Sequence, residues 1–265
     1  MKDLKLGSKD SDLKLLCELL EVPVRSEFDK YLDTVVRSYQ STHNLVRDGW
    51  VGYNTWKSLI LNFRAKHHNS NDITDWDYEV FSKLLDTDSA ALKAVQKVET
   101  GGKGGFLPTS GKPQILFEGH VFWKELQALG IDPAKYGSAW GDVLYKSWDK
   151  SKYKGGEGEW QRLETAKKIS SSAAFKSASW GMYQIMGNNY AKCGCKNITE
   201  FVNLMCKNNF SQFLLGINFL KNTGISKYLI NKDWSGFARL YNGSGYKLNQ
   251  YDTKLEKAYK SFKTT

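Results

Sequence analysis

Glu99 is the acidic residue whose surroundings in the sequence most strongly suggest chemistry. It follows an apolar segment with helical periodicity, residues 91–98, and the sequence after it is Thr-Gly-Gly. A helix C-terminus and burial against apolar neighbours both disfavour a charged carboxylate, so we predict a raised pKa for Glu99. A carboxylic acid that stays protonated near neutral pH can protonate the leaving oxygen of a glycosidic bond. The alternative, for this residue taken alone, is a surface glutamate at the end of a helix.

Two further segments carry side chains that a helix core does not require. The stretch SASWGMYQIMG, residues 177–187, combines two glycines with tryptophan, tyrosine and glutamine. The second segment, Tyr-Asn-Gly at residues 241–243, follows an apolar helical pattern. Aromatic residues often serve large cores, but surplus rings also stack on flat ligands such as sugars and bases. Both segments are therefore candidates for contact with a ligand.

The composition indicates a globular protein with a basic surface. Of the 265 residues, 41% are hydrophobic, 25% are charged and 14% are aromatic, and the formal net charge is +10. A basic surplus suggests an anionic partner, such as nucleic acid, a membrane surface or bacterial cell wall, although a solvated basic surface gives the same count. The sequence contains neither a signal-peptide pattern nor an apolar run long enough to span a membrane, so we expect no membrane insertion.

The four cysteines are expected to be free thiols, because a protein without a signal peptide is made in a reducing cytosol. Two of them form a Cys-x-Cys pair, and no histidine lies nearby to complete a set of four metal ligands. We therefore expect neither a metal nor a cofactor.

The elements that must position the candidate residues are predicted to be mainly helices. Residues 1–64 contain three apolar sets with helical spacing, which predict three short helices joined by tight turns. Residues 65–77 are polar and without periodicity, and are predicted to be a linker. Residues 78–265 again show mostly helical spacing, so we expect an α-dominated second domain. At most a small β-hairpin is expected there, within GGKGGFLPTSGKPQILF.

Four sequence blocks occur in an order that resembles a known family. They are AVQKVET, KPQILFEGHVFW, SASWGMYQIMG and ARLYNGSGY. The series resembles the lysozyme-like superfamily of goose-type lysozymes and lytic transglycosylases, and more closely the phage-type N-acetylmuramidases. The resemblance implies a lysozyme-like catalytic domain in which Glu99 is the general acid. It also implies a set of substrate-binding residues: Ser179, Gly181, Tyr183, Gln184, Tyr241 and Asn242.

The second catalytic carboxylate is less well defined. Inverting hydrolysis requires a base about 6.5–9.5 Å from the acid, so that a water molecule fits between them. Glu118 is the best candidate, because it lies in the second block with His120, but it fits a role in bracing the fold equally well. Asp142 and Glu157, in a stretch rich in glycine and tryptophan, are the other candidates.

The first domain resembles a peptidoglycan-binding domain of the three-helix type. The specific block is DGWVGYNTW, residues 48–56. The resemblance implies wall-binding residues in that block: Asp48, Trp50, Tyr53, Thr55 and Trp56. One departure is that RSEFD, residues 25–29, stands where the family has an earlier Asp-Gly-x-(Phe/Val)-Gly turn, so part of the usual groove is expected to be absent.

Together these features predict a monomeric phage endolysin. It would hydrolyse peptidoglycan between N-acetylmuramic acid and N-acetylglucosamine, and it would remain in the host cytoplasm until release. The alternatives are a lytic transglycosylase that uses the same acid and a non-catalytic wall-binding or phage structural protein. Nucleic-acid binding by a basic aromatic surface would instead show a steep dependence of affinity on salt, and we do not expect it.

Overall fold

The computed structural model describes residues 1–101, 104–241 and 243–263, and helices dominate them, which confirms the predicted mainly α fold. The chain divides into two compact units. The N-terminal unit comprises residues 1–70 and 74–89, and the C-terminal unit comprises residues 71–73 and 90–265. The α-helices within the described ranges are α1 (Asp12–Leu19), α2 (Lys30–Thr42), α3 (Tyr53–His67), α4 (Asp75–Leu84), α5 (Ser89–Thr100), α6 (Gly119–Ala128), α7 (Glu157–Lys167), α8 (Ser171–Lys176), α9 (Ile198–Met205), α10 (Asn209–Asn222), α11 (Ser226–Ile230), α12 (Trp234–Tyr241) and α13 (Tyr251–Lys263).

The N-terminal unit contains the three helices that the apolar spacing predicts. α2 begins at Lys30 because the carboxylate of Asp29 accepts a hydrogen bond from the backbone N–H of Leu32 at 2.9 Å. An antiparallel bridge joins Leu4 to Val51 and ties the N-terminus to the turn before α3. The helices bury apolar side chains against one another, including Leu13, Leu16, Leu32, Val36, Leu59 and Ile60.

The segment predicted to be a linker is largely helical at its two ends. α3 continues to His67, and α4 begins at Asp75, where Thr74 and Asp77 form a capping box. The guanidinium of Arg64 pairs with the carboxylate of Asp77 at 2.6 Å, and the two side chains are 7% and 0% exposed. A buried charge requires such a partner, so this ion pair fixes α4 against α3.

The division between the units consequently differs from the predicted one. It falls between residues 89 and 90, at the first residues of α5, rather than within residues 65–77. Residues 71–73 belong to the C-terminal unit, where the carbonyl of Asn71 accepts a hydrogen bond from the backbone N–H of Phe210 at 3.0 Å.

The C-terminal unit adds a small antiparallel sheet to its helices, with strand order β1-β2-β3. The strands are β1 (Ile115–Phe117), β2 (Ala178–Trp180) and β3 (Ile185–Met186). In the register, Phe117 lies opposite Ala178, and Trp180 lies opposite both Ile115 and Ile185.

This sheet differs from the predicted hairpin. β1 lies in the predicted stretch, but its partner is β2, some 60 residues later. Residues 106–113 do turn back, yet they form only an isolated bridge between Phe106 and Pro113. Proline has no N–H for a ladder, so the bridge does not extend into a strand pair.

The core of the C-terminal unit is aromatic. Its fully buried side chains include Phe117, Phe122, Trp180, Phe201, Phe213 and Phe237. All four cysteines are free thiols, and Cys206 is the exposed one. Among the described residues, no helix combines the length and the apolar character that a bilayer crossing demands.

Candidate active site

Glu99 lies in the last turn of α5 and is partly exposed. Two tyrosines lie within its electrostatic reach. Burial raises the pKa of Tyr241 well above its ordinary value, and the negative charge of Glu99 raises that pKa further. Burial and then the charge of Glu99 also raise the pKa of Tyr251, at the start of α13. The structure therefore brings Tyr241 near Glu99 and adds Tyr251, which no motif indicated.

The β2–β3 turn, residues 181–184, is held in place by the buried amide of Gln212 on α10. The Gln212 carbonyl oxygen accepts a hydrogen bond from the Met182 N–H at 2.8 Å, and its amide donates to the Met205 carbonyl at 2.8 Å. Gly181 has φ +67°, and a Cβ atom there would lie 2.6 Å from the Gln212 oxygen. Only glycine fits this backbone conformation and this close approach without strain. The packing of Gln212 against this turn therefore requires glycine at position 181.

Both the oxygen and the nitrogen of the Gln184 side-chain amide form hydrogen bonds within this hairpin. Its oxygen accepts a hydrogen bond from the Ser179 hydroxyl at 2.8 Å, and its nitrogen donates to the Gly181 carbonyl at 2.8 Å. Gln184 also has φ +45°, a conformation that is uncommon for a residue with a side chain. Two predicted polar ligands, Ser179 of β2 and Gln184 of the turn, therefore bond to each other in the free protein, and Gln184 also holds the backbone of the turn.

Contacts of Tyr183 and Tyr241 also hold the turn in position. The ring of Tyr183 is 3% exposed and lies against Gly216 of α10, where a Cβ atom would be 2.5 Å from it. The Tyr241 hydroxyl donates a hydrogen bond to the Tyr183 carbonyl at 2.7 Å, and the Tyr241 ring stacks on Phe237. Tyr183 is one of the residues that the resemblance implies bind substrate, and in this arrangement its ring is buried. Asn242 lies outside the described residues.

Glu118 lies at the other end of β1 from this turn. The Gly181 N–H donates to the Gln114 carbonyl at 2.7 Å, just before β1, whereas Glu118 follows β1 and precedes α6. Four residues of extended chain separate Gln114 from Glu118, a distance of about 13 Å between their Cα atoms. The role of Glu118 as the second catalytic carboxylate stays a prediction.

The carboxylate of Glu118 is engaged by neighbouring side chains. Its two oxygens lie 2.9 and 2.8 Å from the hydroxyl of Tyr153, which donates to them. The Nδ1 atom of His120 is 3.3 Å from one of these oxygens. Burial raises the pKa of Glu118, while the Tyr153 hydrogen bond and the charge of His120 act in the opposite direction. The other candidate, Asp142, has a side chain that is 67% exposed.

Known proteins resemble this chain in both sequence and structure. A family model, the muramidases, described as N-acetylmuramidase, matches residues 88–263. The chain belongs to this family. It is a glycoside hydrolase that acts on peptidoglycan. A solved structure described as the endolysin of Burkholderia AP3 phage is 31% identical, with 100% of both chains covered and a TM-score of 0.67. No curated protein matches the chain.

The muramidase contains a buried polar network that the motifs did not reveal. The carboxylate of Glu159 accepts hydrogen bonds from the backbone N–H groups of Phe117 and Lys154, and it pairs with Arg162 at 2.7 Å. Burial alone would raise the pKa of Glu159, but these hydrogen bonds and the charge of Arg162 lower it overall. An acid and a base three residues apart on a helix are a recognisable signal, but such pairs are usually exposed.

The N-terminal unit of the muramidase carries a separate pocket of about 360 Å³. Four of the five predicted wall-binding residues line it: Asp48, Trp50, Tyr53 and Thr55. The fifth, Trp56, is 1% exposed and donates its indole N–H to the Lys2 carbonyl at 2.9 Å. The structure therefore corrects the expectation for Trp56, which is part of the core because an amphipathic helix turns this position inward.

Hydrogen bonds from a buried side chain hold the turn that borders the pocket. The buried amide of Gln40 donates hydrogen bonds to the Asp48 carboxylate at 2.9 Å and to the Trp50 carbonyl at 3.0 Å, and it accepts one from Gly49. These bonds fix the turn that leaves the ring of Trp50 47% exposed at the pocket.

Proposed function

We propose that Glu99 is the general acid of this muramidase and that the bond it cleaves joins N-acetylmuramic acid to N-acetylglucosamine. The observation that carries the proposal is the position of Glu99, which is partly exposed in the last turn of the first helix in the matched region. Tyr241 lies close enough for the charge of Glu99 to affect its pKa. Its hydroxyl is bonded to the β2–β3 turn.

In the proposed reaction, the protonated carboxyl of Glu99 donates its proton to the oxygen that leaves the glycosidic bond. The sugar that remains develops oxocarbenium character, and a water molecule attacks it. Tyr241, Gln184 and Ser179 act as positioning residues, because their hydrogen bonds hold the backbone of the turn. Glu118 is the proposed second carboxylate, which would position this water.

A lytic transglycosylase that uses the same acid is the second candidate. In that reaction a hydroxyl group of the substrate replaces water, so no base has to hold a water molecule between two carboxylates.

Mass spectrometry of digested peptidoglycan distinguishes these possibilities. Products with reducing N-acetylmuramic acid ends support the proposal. Reducing N-acetylglucosamine ends would contradict the proposed bond, and anhydromuramic ends would identify a transglycosylase. A Glu99→Gln variant in the same digestion controls for contaminating enzymes.

We further propose that the protein is a phage endolysin and that its N-terminal unit binds the cell wall. The similarity to the Burkholderia AP3 phage endolysin extends over the whole chain, at 31% identity, which supports the first point. A wall-binding unit raises the effective concentration of the catalytic unit at its polymer. The pocket lined by Asp48, Trp50, Tyr53 and Thr55 is the proposed wall-binding site.

A further inference from the structure

A cavity of about 460 Å³ lies between the end of α5 and α13 in the C-terminal unit. Val98 of α5 and Ala258 of α13 form part of its wall, together with three lysines: Lys97, Lys254 and Lys257. The wall is mainly apolar, because the hydrocarbon stems of the lysines add to the side chains of Val98 and Ala258. The volume is typical of sites that bind small molecules, about 300–1,000 Å³. We call this space the lysine cavity.

The three lysines are exposed and give the cavity a positive charge. Among the residues that the structure describes, none of the three forms a salt bridge. Two of them contact rings instead. The Nζ atom of Lys97 lies 5.1 Å from the centroid of the Phe262 ring, and that of Lys254 lies 5.7 Å from the centroid of the Tyr251 ring. Three like charges around one space repel one another, so an anion in the cavity would be stabilised by all three.

The charges of α13 are divided between two sides of the helix. Its two acids, Asp252 and Glu256, line a different cavity, and Glu256 pairs there with Lys260 at 2.6 Å. Successive residues of a helix are about 100° apart, so residues 254 and 257 lie opposite residues 252 and 256. Of the described residues that line the lysine cavity, none is acidic. One side of α13 is therefore basic and borders an apolar space.

The lysine cavity opens on a different side of α5 from the proposed general acid. Lys97 and Glu99 both lie in the last turn and a half of α5. They are two residues apart, so their side chains leave the helix axis in directions about 160° apart. A ligand in the lysine cavity therefore does not have to share the space at Glu99.

We propose that the lysine cavity binds an anionic phospholipid of the bacterial membrane. The phosphate lies at the lysines, and part of an acyl chain lies against Val98 and Ala258. Nucleic acid and wall polymers supply negative charge but no hydrocarbon chain, so they match only half of the cavity. Lysines are attracted to the negative surface potential of a membrane that contains anionic lipid. The catalytic unit would thus lie on the membrane surface, without crossing it, next to the wall that it degrades.

The test measures co-sedimentation of the full chain with vesicles. The protein should bind vesicles of phosphatidylcholine mixed with phosphatidylglycerol, and it should not bind vesicles of phosphatidylcholine alone. Lys254→Gln combined with Lys257→Gln should weaken binding about 10- to 30-fold, the loss expected for two lysines next to an anionic surface. Lys135→Gln combined with Lys207→Gln removes the same charge from two exposed positions elsewhere in the unit. This control pair should weaken binding by at most about threefold.

Val98→Thr tests the apolar wall without a change in charge or size. It should weaken vesicle binding about threefold or more, because a hydroxyl group next to an acyl chain has no hydrogen-bond partner. Inorganic phosphate, compared with chloride at equal ionic strength, should compete only weakly with the vesicles. The Lys254 and Lys257 pair of substitutions should leave the melting temperature and the digestion rate of soluble wall fragments unchanged, which shows that the fold and the catalytic site are intact.

Three results would overturn the inference. Equal losses for the cavity pair and the control pair would show that the total charge alone attracts the protein. An unchanged affinity of Val98→Thr together with full competition by inorganic phosphate would indicate a phosphate site without a lipid. Binding to purified wall polymer but not to vesicles, with loss in the cavity pair, would indicate an anionic polymer as the ligand. A wild-type protein that bound vesicles but did not cleave wall fragments would refute the proposed function and would still support this inference.

Discussion

Replacing Gly181 by alanine tests the account of the β2–β3 turn quantitatively. Two costs follow from the structure. An alanine at φ +67° adopts a left-handed conformation that costs about 1 kcal/mol. Its Cβ atom would lie 2.6 Å from the Gln212 oxygen, so the buried amide that also holds Met182 and Met205 must move.

The movement of Gln212 leaves the buried N–H of Met182 without its acceptor. Such an unsatisfied group costs about 1–3 kcal/mol, so the total loss in the free energy of unfolding is about 2–4 kcal/mol. For a domain of this size, the melting temperature should fall by roughly 4–16 °C. Activity should also fall, because Gln184 and Tyr183 follow directly in the same turn.

Gly224→Ala is the matched control. Gly224 follows α10 and has φ +70°, and a Cβ atom added there would meet open space within 4 Å, so alanine at this position incurs only the backbone cost. Chemical denaturation of both variants, together with wall-digestion rates, separates the two contributions. If Gly181→Ala were no more destabilising than Gly224→Ala, the close approach of Gln212 would not limit this position and the reasoning would be refuted.

Four other outcomes are expected. Glu99→Gln should lower the wall-digestion rate about 10²–10⁴-fold with an unchanged melting temperature, and retention of a tenth of the activity would contradict an acid role. Glu159→Gln should lower the free energy of unfolding above pH 4.5. The difference from wild type should shrink as pH falls below 4.5, because folding lowers the pKa of Glu159 from that value. Chemical denaturation at several pH values measures this difference. Trp50→Ala should weaken co-sedimentation with purified wall, whereas Trp56→Ala should mainly lower stability, and equal wall-binding losses at equal stability would contradict this distinction. A chain of residues 88–265 should fold and cleave soluble wall fragments. A chain that begins at Asp72 should be less stable, because it retains Asp77 without its partner Arg64. Light scattering and circular dichroism compare the aggregation and the thermal unfolding of the two chains.

Periodicity was sufficient to predict the helices but not the limits of the two units. The apolar spacing of α1 to α3 and of the later helices has a local cause, so it can be read along the sequence. The attachment of α4 depends on Arg64 and Asp77, two charged residues 13 positions apart that look like solvated surface. A buried ion pair depends on the three-dimensional arrangement, and a polar segment is therefore an unreliable sign of a linker.

The partner of β1 was missed for a similar reason. A strand of three residues, Ile115–Phe117, has too short a pattern to identify its partner, and Ala178–Trp180 lies far away in the sequence. The glycines and Pro113 in the stretch before β1 indicated a tight turn, which the structure contains, but a turn does not determine which strand pairs with the next.

In the candidate site, the residue types indicated which groups lie together but not which atoms remain available. Gln184 and Ser179 have the groups that bind sugars, yet each satisfies the other inside the turn. A buried polar group must find a partner, and in a compact turn the nearest partner is the backbone of the same segment. The hydrogen bonds that join Trp148 to Tyr153 and Tyr153 to Glu118 likewise connect separate segments, which no single motif contains. Positions that a motif makes prominent can therefore maintain the shape of a site.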